Sequence, residues 1–362
     1  MKKIEELHVA AGRQLDHLRV GFIGMGKIGK IRLDACRQLS NLEVVGYYDP
    51  YLALDLPGLA RFTSMDNLLE SPGLDAVFIS TPNCFTVPYT VASLEAGVSV
   101  FAEKPPARTV EELYRVESVY SSSPGTTLMF GFNHRHKAGV RQLIQEVHSG
   151  DLGKVLWIRG RYGKELEPGF FSDWRSNFTV SGGGILLDQG IHMIDLMREI
   201  SGGFSEVYSV ISNNVTGIEG IEDNVFAVYR SSSTGVSASL HSTMTQWRYL
   251  FSLEVFLEAG SLVLNGLRTP SGNYGSESLT AHIRLPNGRR ATREYSLDRA
   301  DDESWAQEIS VFLDAVRGEK DPTVGNLREA VETLGLVEAT YNADPSFSAI
   351  RRELVHGSKA VD

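Results

Sequence analysis

Apolar residues fall along this chain in two rhythms. Up to about residue 131 they form short solid blocks: Leu18–Ile23, Leu42–Tyr48, Asp75–Ile79, Val98–Ala102 and Thr126–Gly131. Unalternating runs of this length read as parallel strands covered on both faces. The stretches between them have helical spacing. Ile28, Ile31, Ala35 and Leu39 share one face of a helix predicted over Met25–Leu39. Further helices are predicted near Val87–Ala96 and Val110–Tyr120, the latter started by a capping box from Thr109 to Glu112. The β-α-β succession implies a doubly wound parallel sheet.

Beyond His134 the rhythm changes. One helix, Val140–His148, precedes longer strands that alternate: Lys154–Tyr162, Asn224–Arg230, Val236–Thr243, Leu250–Leu257 and Ser261–Leu264. Asn287-Gly288, between Leu285 and Arg289, is a two-residue hairpin signal. Helices are predicted near Ile185–Ile200, Glu303–Val316 and Leu327–Asn342. The expected architecture is α/β. A Rossmann dinucleotide-binding domain over residues 17–135 is followed by an α+β domain over 136–362, built on a mostly antiparallel open sheet. Residues 1–16 are expected to be a short extension.

Composition narrows the class. The 362 residues are 42% apolar, enough to bury two cores. A net charge of −10 with no basic run argues against a nucleic-acid surface. Two cysteines, Cys36 and Cys84, suffice for neither a zinc site nor a disulfide scaffold, so no metal is expected. Met1-Lys2-Lys3 is followed by no apolar stretch, and no run approaches the ~20 apolar residues of a membrane span. A cytoplasmic location is the default expectation.

The chemistry begins at Gly24-Met25-Gly26-Lys27-Ile28-Gly29, which ends a strand and opens a helix. Gly24 permits the turn, Gly26 lets phosphates approach the backbone, and Gly29 lets helix and strand pack closely. The helix N-terminus offers N–H groups to a pyrophosphate. Asp49 ends the second strand, where a carboxylate can accept ribose hydroxyls and repel a 2′-phosphate. NAD is therefore expected over NADP. Asp49 could instead cap the next turn. Thr81-Pro82-Asn83 follows the third strand and could wall the nicotinamide side. Glu103-Lys104-Pro105 follows the fourth, placing Lys104 at the same crevice; a cis Pro105 would suit a tight turn there.

In the second half, Ser181-Gly182-Gly183-Gly184 precedes a helix carrying Asp188 and His192, four apart and hence on one face. The glycines would let that helix's N-terminal end press against a neighbouring domain.

Together these motifs, GxGxxG, Thr-Pro-Asn, Glu-Lys-Pro and GGGxLxDxGxHxxD, resemble the glucose–fructose oxidoreductase / inositol 2-dehydrogenase (Gfo/Idh/MocA) family, from about Leu18 onward. The resemblance implies a catalytic trio of Lys104, Asp188 and His192, with Glu103 and Lys104 also beside the cofactor. It implies that Asn133 and Arg135 line the cofactor and substrate pocket, and that Trp174-Arg175 is a family pair preceding the glycine run. Tyr162, with Arg135, Trp174 and Arg175, would suit a polyol. Thr86 stands where relatives frequently have His, and Leu196-Met-Arg-Glu199 where many have Trp.

The implied function is hydride transfer between nicotinamide and a secondary alcohol of a sugar, cyclitol or nucleotide sugar. His192 would take the hydroxyl proton and Lys104 would stabilise the alkoxide. Two other readings stay open: an NAD-retaining epimerase, lyase or glycosidase on the same fold, and a non-catalytic dinucleotide-binding regulator. The open sheet implies a homodimer or homotetramer.

Overall fold

The computed structural model describes residues 17–52, 55–269, 272–295, 297, 303–318 and 322–358. The extension expected over 1–16 lies outside them. The first sheet is five-stranded, wholly parallel and ordered β2-β1-β3-β4-β5, from Leu18–Ile23 (β1), Leu42–Tyr48 (β2), Ala76–Ile79 (β3), Ser99–Glu103 (β4) and Leu128–Gly131 (β5). The four residues of β3 and of β5 are all buried, as solid apolar blocks require. Strand order reverses beside β1. The carboxyl ends of β1, β3 and β4 therefore share one crevice, the place where such sheets bind ligands. The Thr109 side chain accepts from Glu112 N, as the capping box demands.

The second sheet has eight strands. Its centre is Val155–Gly163 (β6), flanked by Ser237–Thr243 (β9) and Leu250–Leu257 (β10). Only the β6–β9 pair is parallel among the pairings of this sheet's described strands. Glu206–Ser212 (β7) pairs with Asn224–Arg230 (β8) at one edge, and the sequence pattern did not reveal β7. At the other edge the expected hairpin forms, but its loop holds three residues. Leu285 N donates to Arg289 O across Pro286, Asn287 and Gly288, and Gly288 takes φ 77°. Pro286 ahead of the glycine makes the longer loop.

The helix Ile191–Ser201 (α6, counting the helices Lys27–Cys36, Met65–Leu69, Asn83–Glu95, Val110–Ser121 and Ala138–Ser149 as α1–α5) lies on one face of this sheet. Gly160 makes the close approach possible, since a Cβ there would meet Met193 Cγ at 2.6 Å. The other face stays wet. Tyr208 and Val210 are each 66% exposed, and Phe226 and Val228 each 51%.

The chain then returns to the first sheet. Helix Ser304–Val316 sets Phe312 against Phe78 and Phe101. It also brings Glu308 to Arg32 of α1. Arg32 is fully buried, pairs with Glu103 and Glu308 at 2.7 and 2.6 Å, and lies between the rings of Phe101 and Trp305. Burial pushes the Glu308 carboxyl up to about 7, against the pull of Arg32. The final helices, Leu327–Ala343 and Pro345–Ser358, close the second lobe; the last has no strong apolar rhythm and was not expected.

Removing the cation at the centre of this cluster leaves two carboxylates facing each other in a dry site. Arg32→Met should cost on the order of 3–5 kcal/mol, read as a lower urea midpoint. A loss under about 1 kcal/mol would falsify this account of the cluster.

Candidate active site

The glycine turn is built for an anion. Gly24 has φ 87°, and a Cβ there would meet Ser80 O at 2.5 Å. At Gly29 a Cβ would meet Gly24 O at 2.2 Å. At Gly26 it would meet nothing within 4 Å, so the space above this residue is open. No side chain caps helix α1 at Gly26, and no acidic residue lies in its first turn, so its leading N–H groups point to open space. Lys27 is exposed at the same end, and Ile28 is partly buried. Thr81 Oγ1, just past the end of β3, is buried without a hydrogen-bond partner among the described residues. These features fit a bound dinucleotide.

Asp49 does more than one thing. Its Oδ2 accepts from Met25 N at 2.7 Å, and its Oδ1 accepts from Tyr51 N and Leu52 N at 2.9 and 3.1 Å. It therefore caps its own turn and ties it to the glycine loop. A carboxylate offers about four acceptor positions, so Oδ2 retains capacity for a ribose hydroxyl. Tertiary structure adds Arg61 here, which donates to Asp49 O and pairs with Asp55.

The second lobe reaches this crevice through the glycine run. A Cβ on Gly182 would meet Arg108 Cβ at 2.5 Å, one on Gly183 the Tyr341 hydroxyl at 2.5 Å, and one on Gly184 the Glu222 carbonyl at 2.0 Å. Buried Glu222 accepts from Gly184 N, Leu186 N and the Tyr341 hydroxyl. Asn83 Nδ2 crosses to Ser181 O at 2.7 Å, so this residue joins the lobes, with Pro82 as N-cap of its helix.

Asp188 and His192 are not on one uninterrupted α-helix. Leu186–Gly190 forms a π-helical turn that runs into α6. The wider turn is a local insertion of the kind found at functional sites. Lys104, after the cis Lys104–Pro105 bond, sends Nζ across to Asp188 O at 2.5 Å and Oδ1 at 3.4 Å. Arg175 Nε and Lys164 Nζ stand 3.5 and 3.6 Å from the same carboxylate. Burial opposes ionisation of Asp188, yet Lys104, Arg175 and Lys164 hold its carboxyl well below the usual carboxylate range.

His192 is 5% exposed and stacks on His134, with centroids 3.8 Å apart and planes 14° from parallel. His192 Nδ1 has no hydrogen-bond partner among the described residues. His134 is clamped at both nitrogens, by Asn133 Oδ1 at 2.9 Å and the Tyr162 hydroxyl at 3.0 Å. Burial, then the neighbouring ring and the Lys104 ammonium, push His192 well below an ordinary histidine. Burial and the Lys137 and Lys104 charges do the same to His134.

The structure thus gathers Lys104, Asp188 and His192, and Asn83, Trp174 and Arg175 line a small cleft beside Asp188. Arg175 lies over the Trp174 ring at 4.3 Å. Four expected residues have other partners. Glu103 is engaged by Arg32, because a buried guanidinium needs a carboxylate more than a solvated cofactor edge does. Arg135 is 6% exposed and bidentate to Asp195 at 2.7 Å, with Glu199 and Glu329 beside it, so its donors serve the lobe junction. Tyr162 is 2% exposed, and its hydroxyl serves His134. Asn133 likewise spends its carboxamide oxygen on His134. Sequence reasoning missed Lys164, whose only signal is a cation directly after a strand, and His134, which sits between the expected Asn133 and Arg135.

Comparison with known proteins gives the family. The oxidoreductase family with an NAD-binding Rossmann fold matches residues 18–131, and the GFO/IDH/MocA C-terminal domain matches 140–263. The chain is 29% identical over 266 residues to 1,5-anhydro-D-fructose reductase of Ensifer adhaerens, covering 72% of this chain and 75% of that one. It is 27% identical over 347 residues to D-glucoside 3-dehydrogenase of Escherichia coli, covering 90% and 95%. A solved structure of levoglucosan dehydrogenase with NADH and levoglucosan shares the fold, at TM-score 0.79, 21% identity and coverage of 91% and 98%. The chain belongs to the GFO/IDH/MocA oxidoreductase family.

The neutral imidazoles couple folding to pH. Unfolded, each ring takes a proton near pH ~6.5. Folded, His134 and His192 resist, so their contribution to stability is whole above that pH and declines as pH falls below it. His134→Phe keeps a flat stacking ring but no titrating one. Its Tm should fall less between pH 7 and 5 than the parent's; equal slopes would remove the coupling.

Proposed function

We propose that this chain is an NAD-dependent dehydrogenase that oxidises a secondary alcohol of a sugar or cyclitol, free or nucleotide-linked. The observation that carries the reading is the meeting of groups from separate lobes: Lys104 Nζ, from the first sheet, lies 2.5 Å from Asp188 O, one turn before His192. When bound, NAD supplies the hydride acceptor.

The side chains divide the remaining work. His192, kept neutral by burial, takes the hydroxyl proton. The Lys104 ammonium faces the same point and stabilises the alkoxide as the proton leaves. Asp188 stays ionised and anchors Lys104 through both its carbonyl and its carboxylate. His134, stacked beneath His192, holds the ring's plane. Gly24 to Gly29 receive the pyrophosphate, Asp49 the adenosine ribose, and Thr81 Oγ1 a polar group of the cofactor. Trp174 offers a flat apolar wall to a sugar ring.

The chain works as a homo-oligomer, a dimer or tetramer. On the outer face of the second sheet Tyr208 pairs directly with Val228, and Val210 with Phe226. All four are more than half exposed. A contiguous apolar patch of this kind marks an interface, and a second copy of the same face covers it with two-fold symmetry.

Lys104→Ala and His192→Ala should each lower kcat by about 10²–10⁴ while NAD binding, read by calorimetry, survives. Near-parental turnover in both variants defeats the catalytic assignment. Separately, Val210→Glu with Phe226→Glu should convert the parent oligomer into monomers by light scattering. A monomeric parent removes the interface.

A further inference from the structure

The cleft beside Asp188 carries more positive charge than its own carboxylates answer. Three cations meet there, Lys104, Lys164 and Arg175, against two carboxylates, Asp173 and Asp188. Lys104 is committed to the Asp188 carbonyl, and Arg175 Nη1 to Asp173 Oδ1 at 3.1 Å. Lys164 is different. Its side chain is 17% exposed and lines the cleft, and its ion pair is the 3.6 Å approach to Asp188 Oδ2, outside hydrogen-bond range. No described group accepts a hydrogen bond from its ammonium. A half-dehydrated ammonium with three unused donors is costly unless something supplies acceptors.

The cofactor's phosphates do not supply them. Its phosphates have their place at Gly24–Gly29, on the end of β1, whereas Lys164 follows β6 of the other sheet. Neutral sugar hydroxyls would be served by amides at no cost in charge. Ammonium and guanidinium together, against the apolar backing of Phe170 and Met244, suit an anionic oxygen group, to which such hydrogen bonds are strongest.

We infer that Lys164 and Arg175 form an anion subsite, and that the substrate is a sugar or cyclitol bearing a carboxylate or phosphate group. This rests on the dehydrogenase reading of the same site. Lys164 is then the residue that separates acidic from neutral sugars, by binding and not by chemistry.

The test uses the full chain loaded with NAD. Glucuronate, galacturonate and mannuronate are each compared with the parent hexose, and glucose 6-phosphate with glucose, by calorimetric binding and by NADH formation. An acidic member should bind about 10–100-fold more tightly than its neutral partner. The carboxylate and phosphate arms tell which group is held. Lys164→Gln, checked for an unchanged Tm, should erase that preference through KM while changing kcat little. The subsite is overturned if neutral sugars bind as well as acidic ones, if none of these sugars binds, or if Lys164→Gln keeps the preference. Acid-selective binding without NADH would leave the subsite standing and remove the dehydrogenase reading. Oxidation of neutral sugars, indifferent to Lys164→Gln, would do the reverse.

Discussion

One contact organises this molecule: an ammonium group from the first sheet resting on a backbone carbonyl and a carboxylate of the second lobe. Lys104 can reach Asp188 only because both elements around it are built for closeness. Gly182 leaves room for Arg108 of the first lobe, Gly183 and Gly184 let the run sit tightly on Tyr341 and Glu222 of its own lobe, and Glu222 accepts from Gly184 N and Leu186 N. Asn83 completes the seam by donating across it. Displace any of these and the amine, the carboxylate and the imidazole no longer share one cleft.

The seam is reinforced by buried charge. Arg32 with Glu103 and Glu308 fastens the C-terminal part of the chain to the first sheet. Arg135 with Asp195, Glu199 and Glu329 fastens α6 to the loop after β5. Such clusters are weak sources of net stability, since desolvation offsets much of the attraction. They are strong sources of geometry, because no other arrangement answers each charge. Both clusters lie directly behind the site, the first through Glu103 next to Lys104 and the second through Asp195 one turn after His192.

At the site itself the balance tilts away from stability. Two imidazoles are stacked and dehydrated, His192 Nδ1 and Thr81 Oγ1 lack partners, and three cations crowd one carboxylate. Each feature costs free energy in the ligand-free chain. Their coincidence in the crevice where the lobes meet is what marks it as a candidate binding site.

Much was written locally. The parallel sheet followed from solid apolar blocks, the tight turn after β1 from three glycines between a strand and a helix, and the residues that meet across the lobes from short motifs at the ends of elements. These are legible because period, turn geometry and motif spacing act within about twenty residues. What only the folded molecule decided was which charges pair. Glu103 and Arg135 look like site residues in the sequence, but the fold brings Arg32, 71 residues away, to Glu103, and Asp195 and Glu329, 60 and 194 residues away, to Arg135. Lys164 looks like an ordinary surface lysine, and only β6 brings it to Asp188. A side chain's period is set by its neighbours in the chain, but the answer to its charge is set by whatever the fold brings within a few ångströms.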